Sequence, residues 1–411
     1  MTDTNPVKTV VIIGGGPAGL IAAEILGRAG LAVTLYDRMP TVGRKLLMAG
    51  RGGLNLTHSE EFEQFLTRYR AAAAPLRHWI ENFPPSALRD WAAGLGQPTF
   101  VGSSGRVFPE AMKASPLLRA WTERLRNQGT RIVTRALWLG WTDSGALALK
   151  LDDGTVETIT PDATLLALGG ASWPKLGSDG SWIEVLEARG VAVAPLRPSN
   201  CGFTVDWSQV FRTRFAGQPL KNVVLSFGGQ SLAGEAMITN AGLEGGGIYA
   251  LSAALRDAIL ETGRAVLTID LRPDISLAQL TASLNQPRRG QSLSTQLRKS
   301  AGLSPVAINL MRELSGNALP STATGLAASI KALPVTLTGI GALDRSISTA
   351  GGIKFSETDE HLMLNRLPGV FVAGEMLDWE APTGGYLLQA TMATGVAAAQ
   401  GIIRWLGLIR P

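Results

Sequence analysis

Three glycines, Gly14, Gly16 and Gly19, stand in the spacing G-x-G-x-x-G directly after the apolar run KTVVII. In that spacing the first glycine permits a tight turn and the second lets backbone approach a pyrophosphate. The third lets a helix pack closely on a strand, and the amides and positive end of the helix then hold the anion. Asp37 follows 18 residues after Gly19, at the end of the next apolar run, where a carboxylate can accept from ribose hydroxyls. The chemistry so encoded is dinucleotide binding. Asp37 disfavours a 2'-phosphate there, an inference that Arg38 beside it weakens. A second glycine-rich, basic stretch, GRKLLMAGRGGLNLTHS from Gly43 to Ser59, has no strand or helix period. Coming after Asp37, it reads less as a second phosphate cradle than as a loop running beneath the cofactor.

These residues need elements to place them. Residues 8–13 read as a strand, 18–29 as a helix ended by Gly30, and LAVTLYD as a second strand closed by Asp37. Such a β-α-β unit requires a right-handed crossover and a parallel sheet. Alanine- and tryptophan-rich stretches at about 60–96 and 112–128 read as helices. TRIVTRALWLGW and LALKLDDGTVETIT read as antiparallel strands turning at Asp153-Gly154, and ATLLALGG as a buried strand ending in glycines. From about Pro195 the pattern changes to short strands with glycine turns, then to helices between about 276 and 330. Pro195, Pro198 and Pro334 bracket this segment, which is expected to be an inserted domain.

The glycine fingerprint does not by itself separate NAD from FAD; the C-terminal stretch does. FAD lies extended, and its ribityl and ring system need a second set of contacts. VFVAGE reads as a buried strand delivering Gly374 and Glu375 to the ribityl hydroxyls, with Asp378 a second carboxylate nearby. Thr383, Gly384, Gly385 and Tyr386 then open a helix whose positive end would face the flavin N1 and C2 carbonyl and stabilise the anionic reduced ring. Tyr386, at the top of this helix, and Arg51, in the glycine-rich loop, are the candidate catalytic groups near the substrate.

GGGPAGL, GRKLLMAGRGGLNLT, GRVFPEAMKAS, LLALGGASWPKLGSDG, TAGGI and VAGEMLDWEAPTGGYLLQATMATG occur in the order of motifs in the YhiN/BaiN-type flavoproteins, an aminoacetone-oxidase-like group. The chain resembles a divergent subfamily of that group over nearly its whole length. The resemblance implies an FAD-binding Rossmann-type domain interrupted by an insert with a small β-barrel and a helical part. By position it assigns Gly14, Gly16, Pro17, Ala18 and Gly19 to the pyrophosphate and Asp37, with Arg38, to the adenosine ribose. Arg44, Lys45 and Asn55 would reach the cofactor from the glycine-rich loop, and Ala136 would offer backbone to adenine. Ala167, Gly169 and Gly170 would pass near the pyrophosphate, with Gly374, Glu375, Gly384, Gly385, Tyr386 and Leu387 on the flavin side.

The family's activities include NAD(P)H-linked reduction of conjugated double bonds, amine oxidation and reduction of uridine in ribosomal RNA. Two departures fall on the active side. Where the family typically reads Ser-Gly-Gly-Gly-Arg-Cys-Asn, this chain has Ala49-Gly50-Arg51-Gly52-Gly53-Leu54-Asn55, and Asn240 stands where many relatives carry histidine. The substrate is therefore not carried over from the family.

Composition sets the outer bounds. The chain has 411 residues, 45% hydrophobic and 17% charged, with 48 glycines, enough for one large core or two moderate ones. A single cysteine, Cys201, excludes a disulfide framework and a dithiol redox pair and suits the cytosol. His58, His78 and His361 have no ligand spacing, so no metal is expected. The net charge of +5 suits an anionic cofactor or substrate and permits RNA, although no long basic block is present. Neither a targeting segment nor a membrane span is expected.

The expected fold is thus α/β: a Rossmann-like FAD domain of residues 1–192 and 336–411, interrupted at 193–335 by a β-barrel part (to about 272) and a helical part. NAD(P)H would be a transient reductant, with a small unsaturated molecule as substrate, RNA as the alternative, and a flavin-binding protein without turnover as a third reading.

Overall fold

The computed structural model describes residues 7–286 and 290–408, and of Arg51 only the backbone. Two compact units divide the chain: residues up to Arg197 together with those from Ser348 onward, and residues Pro198–Ile347.

The first unit is built on a five-stranded parallel sheet. Strand β1 (Thr9–Ile13) leads through helix α1 (Pro17–Arg28) to β2 (Ala32–Asp37), the β-α-β unit that opens the chain. The short helix α2 (Arg44–Ala49) follows; β3 is Arg131–Thr134, β4 Ala163–Leu166 and β5 Val370–Val372, and the long helix α3 (Tyr386–Trp405) closes the unit. The strand order is β5-β4-β1-β2-β3, with Ile12 in register with Leu35 on one side and Leu165 on the other. The inner strands β1 and β4 are almost wholly buried, as parallel strands covered on both faces must be. The chain runs outward from β1 in both directions, so the carboxyl ends of β1 and β4 flank the crevice where such sheets bind ligands. Gly14, Asp37, Ala167 and Ala373 each end or immediately follow a strand at that edge. Helix α3 lies hard against α1: a Cβ on Gly395 would come within 2.6 Å of the Ala18 carbonyl oxygen.

Two expectations are corrected here. TRIVTRALWLGW is not one strand. Arg135 takes a left-handed backbone (φ 57°) and turns the chain out of β3 into Leu137–Trp141, which pairs instead with Leu147–Lys150 in a three-stranded antiparallel sheet. The helical region 60–96 is likewise broken into Phe62–Thr67, Ala73–Asn82 and Pro85–Gly94. One break is at Arg70 (φ 53°) and the other at the Pro84-Pro85 pair, which cannot continue a preceding helix.

The second unit has its own core. Its seven-stranded sheet centres on the hairpin of Pro219–Phe227 with Gln230–Ile238, turned by Gly228 and Gly229. Helix Gly246–Thr262 precedes strand Ala265–Asp270, four shorter helices follow among the described residues between Leu277 and Lys331, and Leu333–Leu337 returns to pair with Ala265–Asp270.

Candidate flavin-binding site

The three fingerprint glycines have separable roles. Gly14 adopts φ 110°, and a Cβ there would fall 2.2 Å from the Ala167 carbonyl oxygen; a Cβ on Gly19 would fall 2.0 Å from the Gly14 oxygen. Both are closed by backbone packing. Gly16, by contrast, has nothing within 4 Å of where its Cβ would stand, leaving open the space that a pyrophosphate needs. Pro17 opens α1 and no side chain caps its first turn, so the first-turn amides face that opening without an internal acceptor.

Asp37 closes the other side of the loop. Its Oδ2 accepts from the Gly15 N–H and its Oδ1 from the Met39 N–H, each at 2.7 Å. Burial raises this carboxyl above the usual range, against the lowering effect of those two hydrogen bonds. The Ala136 N–H donates to the Asp37 carbonyl at 3.0 Å, so the left-handed turn at Arg135 brings Ala136 to the end of β2. Arg38 turns away to pair with Asp179 at 2.5 Å and to donate to the Pro174 carbonyl at 3.2 Å.

The glycine-rich stretch, expected as a loop, is in part helical, since Arg44–Ala49 forms α2, and it is its start that lies beside this crevice. The Gly43 N–H donates to the Gly15 carbonyl at 2.8 Å, tying the loop to the phosphate turn. Gly43 (φ 68°) caps α2, which carries Arg44 and Lys45. The Lys45 ammonium donates to Ser172 Oγ at 2.6 Å and to Glu375 Oε2 at 2.8 Å; Glu375 Oε1 accepts from the Thr349 N–H at 2.9 Å. Gly170 packs into the same knot, since a Cβ there would fall 2.4 Å from Thr349 Oγ1. Among the described residues seven buried side-chain polar atoms have no protein partner, and three of them fall in the glycine-rich segments: Arg44 Nε, Asn55 Oδ1 and Ser178 Oγ. Ser178 stands beside Gly169 (φ 74°). Orphaned buried polar atoms are costly and call for a partner. Here they accompany an open glycine turn and uncapped amides, and a dinucleotide with hydroxyls and phosphates fits that donor and acceptor set.

At the far end, the Gly374 N–H donates to Thr394 Oγ1 and its carbonyl accepts from Trp379 Nε1, fixing the turn that carries Glu375. Burial, more than any neighbouring charge, raises the Asp378 carboxyl. Gly384 (φ 133°) and Gly385 (φ 100°) lead into α3, and a Cβ on Gly385 would lie 2.5 Å from the Thr57 backbone. Leu387 packs against the core. The Tyr386 ring is 5% exposed and its hydroxyl donates to Glu60 Oε1 at 2.5 Å. The Arg51 side chain lies outside what the structure describes.

The fold thus gathers Asp37 with Ala136, Gly14 with Ala167, and Lys45 with Gly170 and Glu375, while Arg38 and Tyr386 take protein partners. Ser172, Ser178 and Thr349 were not singled out by sequence reasoning. The only sign of them was a small hydroxyl residue close to a glycine run.

The family model described as HI0933-like protein Rossmann domain matches residues 8–401, in keeping with the family expected from the motifs. A 3-dehydro-bile acid delta(4,6)-reductase of Clostridium scindens is 26% identical over 408 residues, covering 95% of this chain and 97% of its own. A ribosomal RNA dihydrouridine synthase of Escherichia coli is 24% identical over 414 residues, 96% of this chain and 97% of its own. Among solved structures, the 3-ketosteroid-delta4-(5alpha)-dehydrogenase of Rhodococcus jostii superposes with a TM-score of 0.52 at 16% identity, over 98% of each chain. That last likeness speaks for the fold alone.

Proposed function

The chain belongs to the HI0933-like protein Rossmann-domain family of FAD-dependent oxidoreductases, and from that premise we propose that it reduces an unsaturated small molecule at the expense of NAD(P)H in the cytosol. The observation that carries the cofactor part is the open Gly16 turn, together with the orphaned Arg44, Asn55 and Ser178 atoms in the same unit. When bound, FAD would supply hydride transfer at N5. The chain's own residues bind and orient. The α1 amides hold pyrophosphate, Asp37 accepts from the ribose, and Glu375, its charge balanced by Lys45, accepts from the ribityl chain. The first-turn amides of α3 lend positive potential to the flavin pyrimidine edge. The small-molecule reading draws on the bile-acid reductase relative, whose match covers nearly both chains.

The ribosomal RNA dihydrouridine synthase relative supports a second reading, in which the substrate is uridine within RNA. One experiment separates these. Protein reconstituted with FAD is mixed anaerobically with NADH or NADPH, and bleaching of the flavin absorbance is followed. Reoxidation is then tried with conjugated enones and with unmodified ribosomal RNA. Bleaching and reoxidation by an enone are expected. Reoxidation by RNA alone favours the second reading, and absence of FAD binding overturns both.

A further inference from the structure

The segment from Thr57 to Tyr69 carries titratable and aromatic side chains for which the flavin site has no use, and His58, Glu60, Phe65, Arg68 and Tyr69 among them converge on the first turn of α3. Tyr69 donates its hydroxyl to the Tyr386 carbonyl at 2.8 Å. Thr57 Oγ1 donates to Gln389 Oε1 at 2.8 Å, and Gln389 Nε2 donates to the Phe83 carbonyl at 2.5 Å. The Tyr386 hydroxyl donates to Glu60, and Arg68 grips the same carboxylate as a fork, Nε to Oε1 at 3.1 Å and Nη2 to Oε2 at 2.7 Å. The His58 ring stacks on Tyr386 with centroids 5.4 Å apart and planes 20° from parallel, and Phe65 meets it at 4.9 Å.

Stability alone does not ask for this arrangement. Phenylalanine would fill the same apolar cluster without drawing a carboxylate out of water, and an ion pair with a half-exposed arginine contributes little to stability by itself. What the network adds is direction. The side chain and carbonyl of the first residue of α3, and the side chain of its fourth, are all anchored to one segment. Gly385 contributes no side chain that could hold the turn. The protonation states are stable too. Burial would raise the Glu60 carboxyl, but the hydrogen bonds from Arg68 and Tyr386 outweigh it and hold Glu60 low. Burial first, then Glu60, drive the Tyr386 phenol well above its usual range.

We infer that Glu60 is a positioning residue that, through Tyr386, fixes the direction in which the uncapped N-terminus of α3 presents its amides to the flavin. The inference rests on the FAD reading above. A helix end aimed at the ring favours its anionic reduced form over the oxidised form, so misaiming it weakens binding of reduced FAD more than oxidised FAD. A role in packing alone would weaken both alike.

The test uses Glu60→Gln and Tyr386→Phe, both nearly isosteric, in the full chain reconstituted with FAD. It reads the dissociation constant for oxidised FAD and the two-electron midpoint potential. Expected are oxidised-FAD affinities within threefold of the unsubstituted protein and about tenfold weaker relative binding of reduced FAD, a potential about 30 mV lower. The double variant is expected to go no further than either single one. Should these variants fold poorly, Arg68→Gln loosens Glu60 from a half-exposed position, and Arg68→Lys is expected to restore part of the potential. Unchanged potentials with a lowered unfolding temperature would reduce the network to a structural role and overturn the inference. If the unsubstituted protein takes up no FAD, it is the FAD reading that fails and the inference falls with it.

Discussion

Gly14 and Gly16 stand two residues apart in one turn, yet their missing side chains answer to different demands. Gly14→Ala would force a Cβ at φ 110° into the Ala167 carbonyl; left-handed strain plus overpacking is expected to cost roughly 2–4 kcal/mol of apoprotein stability. Gly16→Ala meets nothing and is expected to change that stability by no more than about 0.5 kcal/mol, while lowering FAD affinity about tenfold by crowding the pyrophosphate. Urea unfolding of the apoprotein and a flavin fluorescence titration measure the two effects separately. Asn55→Ala extends the contrast: removing a buried, unpartnered Oδ1 is expected to leave the apoprotein as stable or more so and still to weaken FAD binding. If FAD binds this variant unchanged, Asn55 is not a cofactor contact. At this scale the fingerprint was legible because Gly14 and Gly19 record backbone packing and Gly16 the space for a ligand. The knot of Lys45, Ser172, Thr349 and Glu375 was not. Its members lie up to 330 positions apart, and only the folded sheet edge brings them together.

Between elements, the clearest titratable joint is the one at the start of β1. Asp162, just before β4, accepts from Lys8 Nζ at 2.8 Å and from the Thr9 N–H and hydroxyl at 2.8 and 2.9 Å. The hydrogen bond from Lys8, followed by those from Thr9, lowers this carboxyl from 3.8 to about 2. A carboxyl lowered by folding contributes stability that is fully present above pH 3.8 and is lost as the pH falls toward 2. Asp162→Asn is therefore expected to lower stability at neutral pH and to flatten its decline between about pH 4 and 2. Denaturant midpoints across that range report it, and parallel acid limbs for the two proteins would show the joint to be energetically silent. The β1-α1-β2 unit could be read from sequence because period, glycine and acid all agreed. TRIVTRALWLGW could not, since alternation continues across Arg135 while the backbone turns left-handed there. The change of sheet is imposed by the pairing of Leu137–Trp141 with Leu147–Lys150, which no local signal announces.

For the molecule as a whole, the division into two units carries the sharpest consequence. Each unit has a core of its own, and every residue assigned here to the cofactor lies in the unit built on the parallel sheet. A change of texture from buried parallel strands to glycine-turned antiparallel ones was visible in the sequence. The path by which Leu333–Leu337 returns to the sheet of the second unit was not, because a short alternating strand looks alike in either unit. Among the described residues no helix is long and apolar enough to cross a membrane. Hydrogen exchange can follow the opening of each unit by itself. FAD at one hundred times its dissociation constant should stabilise the unit that binds it by about 2.7 kcal/mol, which slows exchange through its unfolding about a hundredfold. That slowing is expected in β1, β4 and α3 and around residues 43–58, and not in the Pro219–Ile238 hairpin, whose amides open with the second unit. Equal protection of the hairpin would mean that both units unfold as one or that the cofactor is held by both, and the assignment of the site to the parallel-sheet unit alone would have to be withdrawn.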